Sequence, residues 1–424
     1  MKKVVVGLLG CGNIGSGVVR LIGQMRQDIR EHYQLEIDIR RALVRSTEKK
    51  RDEAVPRGIL TETPEDVLND PEIAVVLEFL GGEQPAADYM ARALRAGKTV
   101  VTANKMALAL HWRELQRAAD EGQSGLYYEA AVGGAMPIIR VLQHSLQANH
   151  ITRLSAIING TTNYLLTRMT DEKLDYQTAL SEAQRLGLAE PDPSSDVEGE
   201  DAAYKLSILA SLAFHAHIPV SLIQREGMTR ISQVDIRCAR DMGYTIKLLA
   251  SAARSGSEVD AFVSPVLVPV HHPLASVKGA FNAVYLHGHA FDDMMIYGRG
   301  AGSAPTASAI VSDLICAAQD PAPAFSTFEV VDGLSDSVSM AKDRTCAFYL
   351  RLQVKDDAGV LAHVASCLSG EQVSVRALQQ PQATENGAQI TILTHPAEES
   401  RVRSAARAFD PKLVKVMNIL RVEE

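Results

Sequence analysis

The sequence has no apolar run of the roughly 20 residues that a helical membrane span needs, so no such span is expected. Its start, MKKVVVGLLGCGNIG, superficially has the form of a secretory signal. The apolar stretch is short, however, lacks a small-residue cleavage site and runs directly into glycines. It reads as a first β-strand entering a turn. There is no basic stripe and the net charge is -8, which disfavours nucleic acid as a partner. Cysteine is sparse: Cys11, Cys238, Cys316, Cys346 and Cys367 are odd in number, scattered and without metal-ligand spacing. In a chain this long that points to free thiols in a reducing, cytoplasmic compartment. Internal repeats and low-complexity tracts are missing too.

What is present is enough chain for two or three cores, 424 residues of which 46% are hydrophobic and 22% charged. Strands expected at 4–9, 35–44, 73–79, 99–102 and 126–130 alternate with helices at 14–25, 86–96 and 106–120, the pattern of a parallel sheet covered on both faces. The middle differs, with strands at 150–158, 258–270 and 282–287 and helices at 161–170, 176–186, 202–215 and 304–318. The last eighty or so residues read βαββαβ, the ferredoxin-like order: strands at 346–354, 373–379, 387–393 and 413–420, helices at 359–368 and 398–409. A polar stretch at 332–342 suits a linker. The fold class is therefore α/β: a Rossmann-type nucleotide-binding domain at 1–132 to which 303–335 returns, an α+β substrate and dimerisation domain at 133–302, and a ferredoxin-like domain at 346–424.

Gly10-Cys11-Gly12-Asn13-Ile14-Gly15 is a GxGxxG directly after the first strand and opening the first helix. Alone it could be an ordinary glycine turn; in this context it points to a dinucleotide. Gly10 permits the tight turn, Gly12 lets backbone N–H groups approach a pyrophosphate, and Gly15 lets helix pack on strand, with Asn13 and Ile14 at the helix N-terminus. Cys11 is small enough to fit there, and oxidation-sensitive if exposed. The second strand ends in IDIRRALVRSTEKKR, without the acid that often holds a ribose hydroxyl. Arg45, Ser46 and Thr47 could hold a 2′-phosphate, favouring NADP over NAD; equally, Arg45, Lys49 and Lys50 could form a solvated turn.

Glu78 with Gly81 and Gly82, and Thr102-Ala103-Asn104-Lys105, follow strand ends, where ligands of open parallel sheets bind. Thr102 and Lys105 are thus cofactor candidates. A lysine at a helix start opposes the helix dipole, which suggests a functional reason for Lys105. Glu129 precedes a small-residue loop running to Met136; a carboxylate plus carbonyls could hold a hard cation, and a turn capping the next helix is at least as good a reading. Glu190, Asp192, Asp196, Glu198, Glu200 and Asp201 crowd one loop, ordinarily a solvated feature. Asp201 and Lys205, however, fall on one stripe with Ile208 and Leu212 of an apolar helix, so both should point inward. A poorly solvated lysine beside a carboxylate can donate a proton to a carbonyl. His215, His217 and the His271-His272-Pro273 turn lack partner acids and suit capping, core or loop roles.

The segments GLLGCGNIGSGVV, VVLEFLGG, VTANKMALA, YEAAVGGAMPIIR, IINGTTNYLLTRM, LGLAEPDPSSDVEGEDAAYKLSILASLAF and YGRGAGSAPTASAIVSDL resemble homoserine dehydrogenases over nearly the whole chain. The tail, with VKDDAGVLAHVASCLS, resembles an ACT domain, a small-molecule sensor. The resemblance implies NAD(P)-dependent interconversion of L-homoserine and L-aspartate 4-semialdehyde, in the biosynthesis of threonine, methionine and isoleucine. It implies Lys205 as catalytic proton donor, Asp201 grouped with it, Glu190 and Asp196 on the substrate, and Lys105 beside nicotinamide and substrate. Glu129, Val132, Gly134 and Met136 match a sodium site, the last three through carbonyls, and Gly302 lies in a glycine-rich stretch returning to the cofactor. It further implies a homodimer or homotetramer, L-threonine as effector, and no kinase domain ahead of the first strand.

Two other readings stand beside it. A semialdehyde dehydrogenase of the same fold would need a nucleophilic cysteine, for which Cys238 alone is placed. A non-enzymatic nucleotide sensor would have no use for an inward Lys205–Asp201 pair.

Overall fold

The computed structural model describes residues 1–424 except 322–325, 329, 381–387 and 424. Its N-terminal sheet is wholly parallel. The strands lie in the order Leu60–Thr61, Leu35–Leu43, Lys2–Leu9, Val75–Glu78, Thr99–Thr102, Leu126–Tyr127. Lys2–Leu9 is flanked by the second strand on one side and Val75–Glu78 on the other, so the strand order reverses there. A crevice opens at such a point, beyond the carboxyl ends of the strands. The inner strands are short apolar runs buried on both faces, as expected of a parallel sheet under helices. Helix Ser303–Gln319 packs on helix Asn13–Gln24 and shares a core with Val4, Val6 and Leu8.

The last strand is shorter than expected. It stops at Tyr127, and Glu129–Ala131 form a 3-10 turn. The cause is a side chain far along the chain: the Glu129 N–H donates to Asp313 Oδ2 at 2.9 Å and leaves no ladder bond to make.

The rest builds one large mixed sheet. Its main path runs Asp292–Arg299, Phe281–Gly288, Ile151–Ile157, Tyr244–Ser255, Glu258–Pro269, Val414–Val422, Phe348–Val354, Ala388–Thr394, Val375–Gln379. The last four strands with helices Val360–Gly370 and Glu399–Arg407 form an antiparallel βαββαβ unit over its own core. Gly387, expected to open the third of its strands, lies outside the described residues. Tyr244–Ser255, Asp292–Arg299 and helix Gln233–Asp241 carry no assignment from the sequence. Tyr244–Ser255 is rich in alanine and leucine, and its pairing along Glu258–Pro269 overrides that helical propensity.

The tail does not hang from a linker. Residues 332–342 are pinned: Ser335 Oγ accepts from the His217 N–H at 2.7 Å, and Ser339–Met340 pairs with Glu258–Val259. Val414–Val422 adds to Glu258–Pro269 in parallel, making the two sheets continuous. Arg351 reaches out of the tail to Asp235, at 2.6 and 3.0 Å, and both side chains are buried. Removing one member of such a pair leaves an uncompensated buried charge, a cost of about 3–5 kcal/mol. Arg351→Ala is therefore expected to lower stability by about that amount, read as a drop in the urea unfolding midpoint; an unchanged midpoint would show that the pair does not hold the tail.

Candidate active site

The glycine turn has the shape its sequence asks for. Gly10 adopts φ +99°. A Cβ on Gly15 would sit 2.6 Å from the Gly10 carbonyl oxygen, whereas one on Gly12 would meet nothing within 4 Å. Open space therefore faces the start of helix Asn13–Gln24, which has no side-chain cap, so its first N–H groups are free for an anion. These residues fit a dinucleotide pyrophosphate. Gly302, at φ +114°, precedes helix Ser303–Gln319, and Ser303 Oγ donates to the Asn13 carbonyl at 2.9 Å. The glycine-rich return is thus joined to the turn.

At the end of the second strand the details differ from expectation. Arg45 is exposed, and Thr47 gives both its N–H and its hydroxyl to Glu62, at 2.7 and 3.0 Å. Its hydroxyl is committed, and an acid stands close by. The guanidinium that joins this segment to the glycine turn is that of Arg51, donating to the carbonyls of Cys11 (3.2 Å) and Ser46 (2.8 Å). Nothing in the periodicity singles out Arg51 or Glu62, because neither lies on a strand.

Lys105 opens helix Lys105–Gly122 at the carboxyl end of Thr99–Thr102. Asn104 caps that helix through Oδ1, accepting from the Ala107 N–H at 3.0 Å. Beneath it lies fully buried Glu78, which accepts from Thr102 Oγ1 (2.6 Å), Leu80 N–H (2.7 Å) and Asn104 Nδ2 (3.4 Å). Burial pushes the Glu78 carboxyl above its ordinary range, against the pull of these hydrogen bonds. Thr102 has a supporting role that the sequence did not show. Its hydroxyl is turned to Glu78 and also accepts from the Asn104 N–H, so its side chain supports the helix start.

Opposite Lys105, helix Glu200–Phe214 is buried on nearly all sides and presents Asp201 and Lys205 one turn apart. Lys205 Nζ donates to Asp201 Oδ2 at 2.6 Å and to the Ile158 carbonyl at 2.9 Å; Lys105 Nζ lies 3.4 Å from Asp201 Oδ1. One carboxylate therefore bridges two lysines from different units. Burial opposes ionisation of Asp201, but both lysines and the hydrogen bonds from Lys205 and Asn159 outweigh it and hold the carboxyl at about 2. Asn159 escaped the sequence reading. Its Nδ2 donates to Asp201 Oδ2 (2.9 Å) and Asp196 Oδ1 (2.6 Å), while its Oδ1 caps helix Gly160–Asp171. An Asn between a strand and a helix is an N-cap signal and could have drawn attention to it. Burial raises the Asp196 carboxyl above its usual value. Glu190 is exposed, and its carboxylate has no partner among the described residues.

Glu129 behaves as a cap. Its two oxygens accept from the Ile139 N–H (2.8 Å) and the Arg140 N–H (2.9 Å), and the Met136 carbonyl accepts from the Ile138 N–H at 2.8 Å. Burial and neighbouring Asp313 push the Glu129 carboxyl up to about 7. Each Glu129 oxygen accepts one N–H and keeps a lone pair, as does the Met136 carbonyl, so Glu129 and the carbonyls of Val132, Gly134 and Met136 all retain acceptor capacity for a cation. Cys238 is buried and its thiol is pushed up by burial, the opposite of an activated nucleophile. The thioester reading loses its cysteine.

Comparison with known proteins covers nearly the whole chain. The family model "Homoserine dehydrogenase, NAD binding domain" matches residues 10–129 and the model "Homoserine dehydrogenase" matches 137–315. The chain is 40% identical to a Bacillus subtilis homoserine dehydrogenase, covering 94% of this chain and 93% of the relative. It is 38% identical to one from Corynebacterium glutamicum, covering 100% and 96%. A crystal structure of a homoserine dehydrogenase from Thiobacillus denitrificans superposes with a TM-score of 0.92 at 38% identity, over 100% of this chain and 99% of that one. With an open glycine turn and the first lysine of the bridged pair both at carboxyl ends of the parallel strands, the chain belongs to the homoserine dehydrogenase family, oxidoreductases acting on a CH–OH group with NAD(P).

Proposed function

We propose that the Lys105–Asp201–Lys205 cluster carries the interconversion of L-homoserine and L-aspartate 4-semialdehyde, with Lys205 as the general acid and base. The observation behind this is the single buried carboxylate that bridges lysines of both units. A bound nicotinamide supplies or takes the hydride at the reacting carbon. Lys205, held by Asp201 and the Ile158 carbonyl, retains a third N–H for the substrate oxygen, to which it gives or from which it takes the proton. Lys105 adds positive charge where the oxygen becomes negative. Asp196, oriented by Asn159, and exposed Glu190 are suited to the substrate ammonium.

In this reading residues 1–132 with 303–335 bind the cofactor through Gly10, Gly12, Asn13, Ile14, Gly15 and Gly302; 133–302 hold the substrate; and 346–424 form an ACT-type regulatory unit answering to L-threonine. The enzyme works in the cytoplasm as a homodimer or homotetramer. No described helix is long and apolar enough to cross a membrane. Any monovalent cation would rest on Glu129 and the carbonyls of Val132, Gly134 and Met136.

The cofactor is NADP in preference to NAD, on the strength of Arg45, whose guanidinium is uncommitted, with Arg51 close behind. Arg45→Ala should raise the KM for NADPH about tenfold, the worth of a charge-assisted hydrogen bond, and leave that for NADH nearly unchanged. Equal kcat/KM for NADPH and NADH in the unmodified protein, assayed with L-aspartate 4-semialdehyde by absorbance, would remove the preference.

A further inference from the structure

One buried acid at the carboxyl edge of the parallel sheet has no task in the reaction proposed above. Glu78 ends strand Val75–Glu78 and is fully buried, and among the described residues no cation pairs with it. Burying a carboxyl without a counter-charge is costly, and an apolar side chain would fill the same space without that cost. What an apolar side chain could not do is make the hydrogen bonds that Glu78 makes.

Those bonds join two loops. Glu78 Oε1 accepts from the Leu80 N–H at 2.7 Å, in the loop after its own strand. Oε2 accepts from Thr102 Oγ1 at 2.6 Å, at the end of the neighbouring strand, and Oε1 also accepts from Asn104 Nδ2 at 3.4 Å. Asn104 carries the tie onward. Its Nδ2 donates to the Gly82 carbonyl at 2.8 Å, and its Oδ1 caps the helix that Lys105 opens. Gly81 and Gly82 stand at φ +72° and +70°, so the loop turns where other residues resist turning. Its far end meets the same helix, with Glu83 Oε1 2.9 Å from His111 Nε2.

The helix needs such a tie because it is not one straight rod. Lys105–Gly122 leaves helical geometry at His111, where φ is -119° and ψ is 23°. Residues 105–110 therefore take their direction less from the long segment beyond than from contacts at their own start. Lys105 is the residue that depends on this direction. From the first position of the short segment its Nζ reaches Asp201 Oδ1, 3.4 Å away on the substrate unit. A tilt of the segment moves the ammonium with it.

We propose that Glu78 is a positioning residue for the reaction: through Thr102 and Asn104 it aims the first turns of this helix, so that Lys105 meets Asp201 and the substrate oxygen. The role presupposes the one given to Lys105 above. It requires the hydrogen bonds of Glu78 and not its charge. Burial raises the carboxyl, favouring the neutral form, whose shape and bonding glutamine copies.

The test is a double-mutant cycle read by kcat, with saturating NADPH and L-aspartate 4-semialdehyde. Glu78→Leu keeps the bulk and removes the bonds. Asn104→Ser keeps a helix cap and removes the ties to Glu78 and Gly82. Each is expected to lower kcat about tenfold or more, the order of loss for a misplaced group. Neither is expected to have a further effect in a Lys105→Ala background, where nothing remains to be aimed. Glu78→Gln is expected to restore most of the kcat that Glu78→Leu loses. If Glu78→Leu does not fold, Asn104→Ser and Glu78→Gln carry the test between them. Losses of full size on top of Lys105→Ala, or unchanged kcat in Asn104→Ser, overturn the positioning role and spare Lys105. A tenfold loss in Glu78→Gln overturns it too, because charge rather than direction would then matter. Near-normal kcat in Lys105→Ala is a separate failure: it removes Lys105 from the reaction, and the positioning role with it.

Discussion

Lys205→Ala is expected to lower kcat by about 10²–10⁴-fold, the contribution of a positioned general acid or base. The ammonium is held at two of its three N–H groups, by Asp201 Oδ2 and the Ile158 carbonyl, which fixes where the third points. Alanine removes the proton source and leaves the rest of the helix, apolar and buried, in place. NADPH affinity should survive, because the glycine turn lies on the other unit and its geometry depends on Gly10, Gly15 and the link from Ser303. Lys205→Arg should fail as well: a planar guanidinium does not give up its proton near neutral pH and cannot reproduce a compact donor. Near-normal kcat in the alanine variant, measured with saturating L-aspartate 4-semialdehyde, would remove Lys205 from the chemistry.

The second large effect is expected at Asp201. Asn keeps the volume but removes the negative charge that sits between Lys105 and Lys205. Two cations then face each other across a buried position without a counter-charge. We expect kcat to fall about 10²-fold or more, because the proton donor loses its anchor, and stability to fall by about 3 kcal/mol, because one partner of a buried pair is gone. The stability difference should depend on pH with a definite sign. The folded-state carboxyl is held at about 2, below the ordinary value near 3.9. Its stabilising contribution is therefore present above about pH 4 and is lost as pH falls toward about 2. Urea midpoints of the two proteins should differ at pH 7 and converge as pH falls from about 4 toward about 2; a constant difference would mean that the ionised carboxylate is not what stabilises the fold.

The parallel sheet was legible because its signals are local. Short apolar β-branched runs, a glycine turn after the first of them and helical spacing between them are each contained in about twenty residues. The inward pairing of Asp201 and Lys205 was legible for the same reason: four residues on a helix otherwise apolar nearly all round leave few orientations. What escaped is held by distant partners. Lys105 and Asp201 share one oxygen contact although 96 positions separate them. The early end of the strand at Tyr127 is set by Asp313, and the attachment of the tail by Arg351 on Asp235 and by strand Val414–Val422 on Glu258–Pro269. No window along the chain contains both halves of these contacts. Thr102 and Glu129 were ambiguous in a different way. Each lies at a strand end, where a functional role and a supporting one look alike in sequence, and only the partners Glu78, Ile139 and Arg140 show that both side chains turn inward.

The most direct test of the Lys205 assignment is a single-turnover reaction. Enzyme is loaded with NADPH, mixed with L-aspartate 4-semialdehyde, and NADPH absorbance is followed for the unmodified chain and for Lys205→Ala. The expected result is equal NADPH affinity in the two proteins, with the first-turnover rate at least about 10²-fold slower in the variant. Equal first-turnover rates would contradict the account, because the proton would then come from elsewhere.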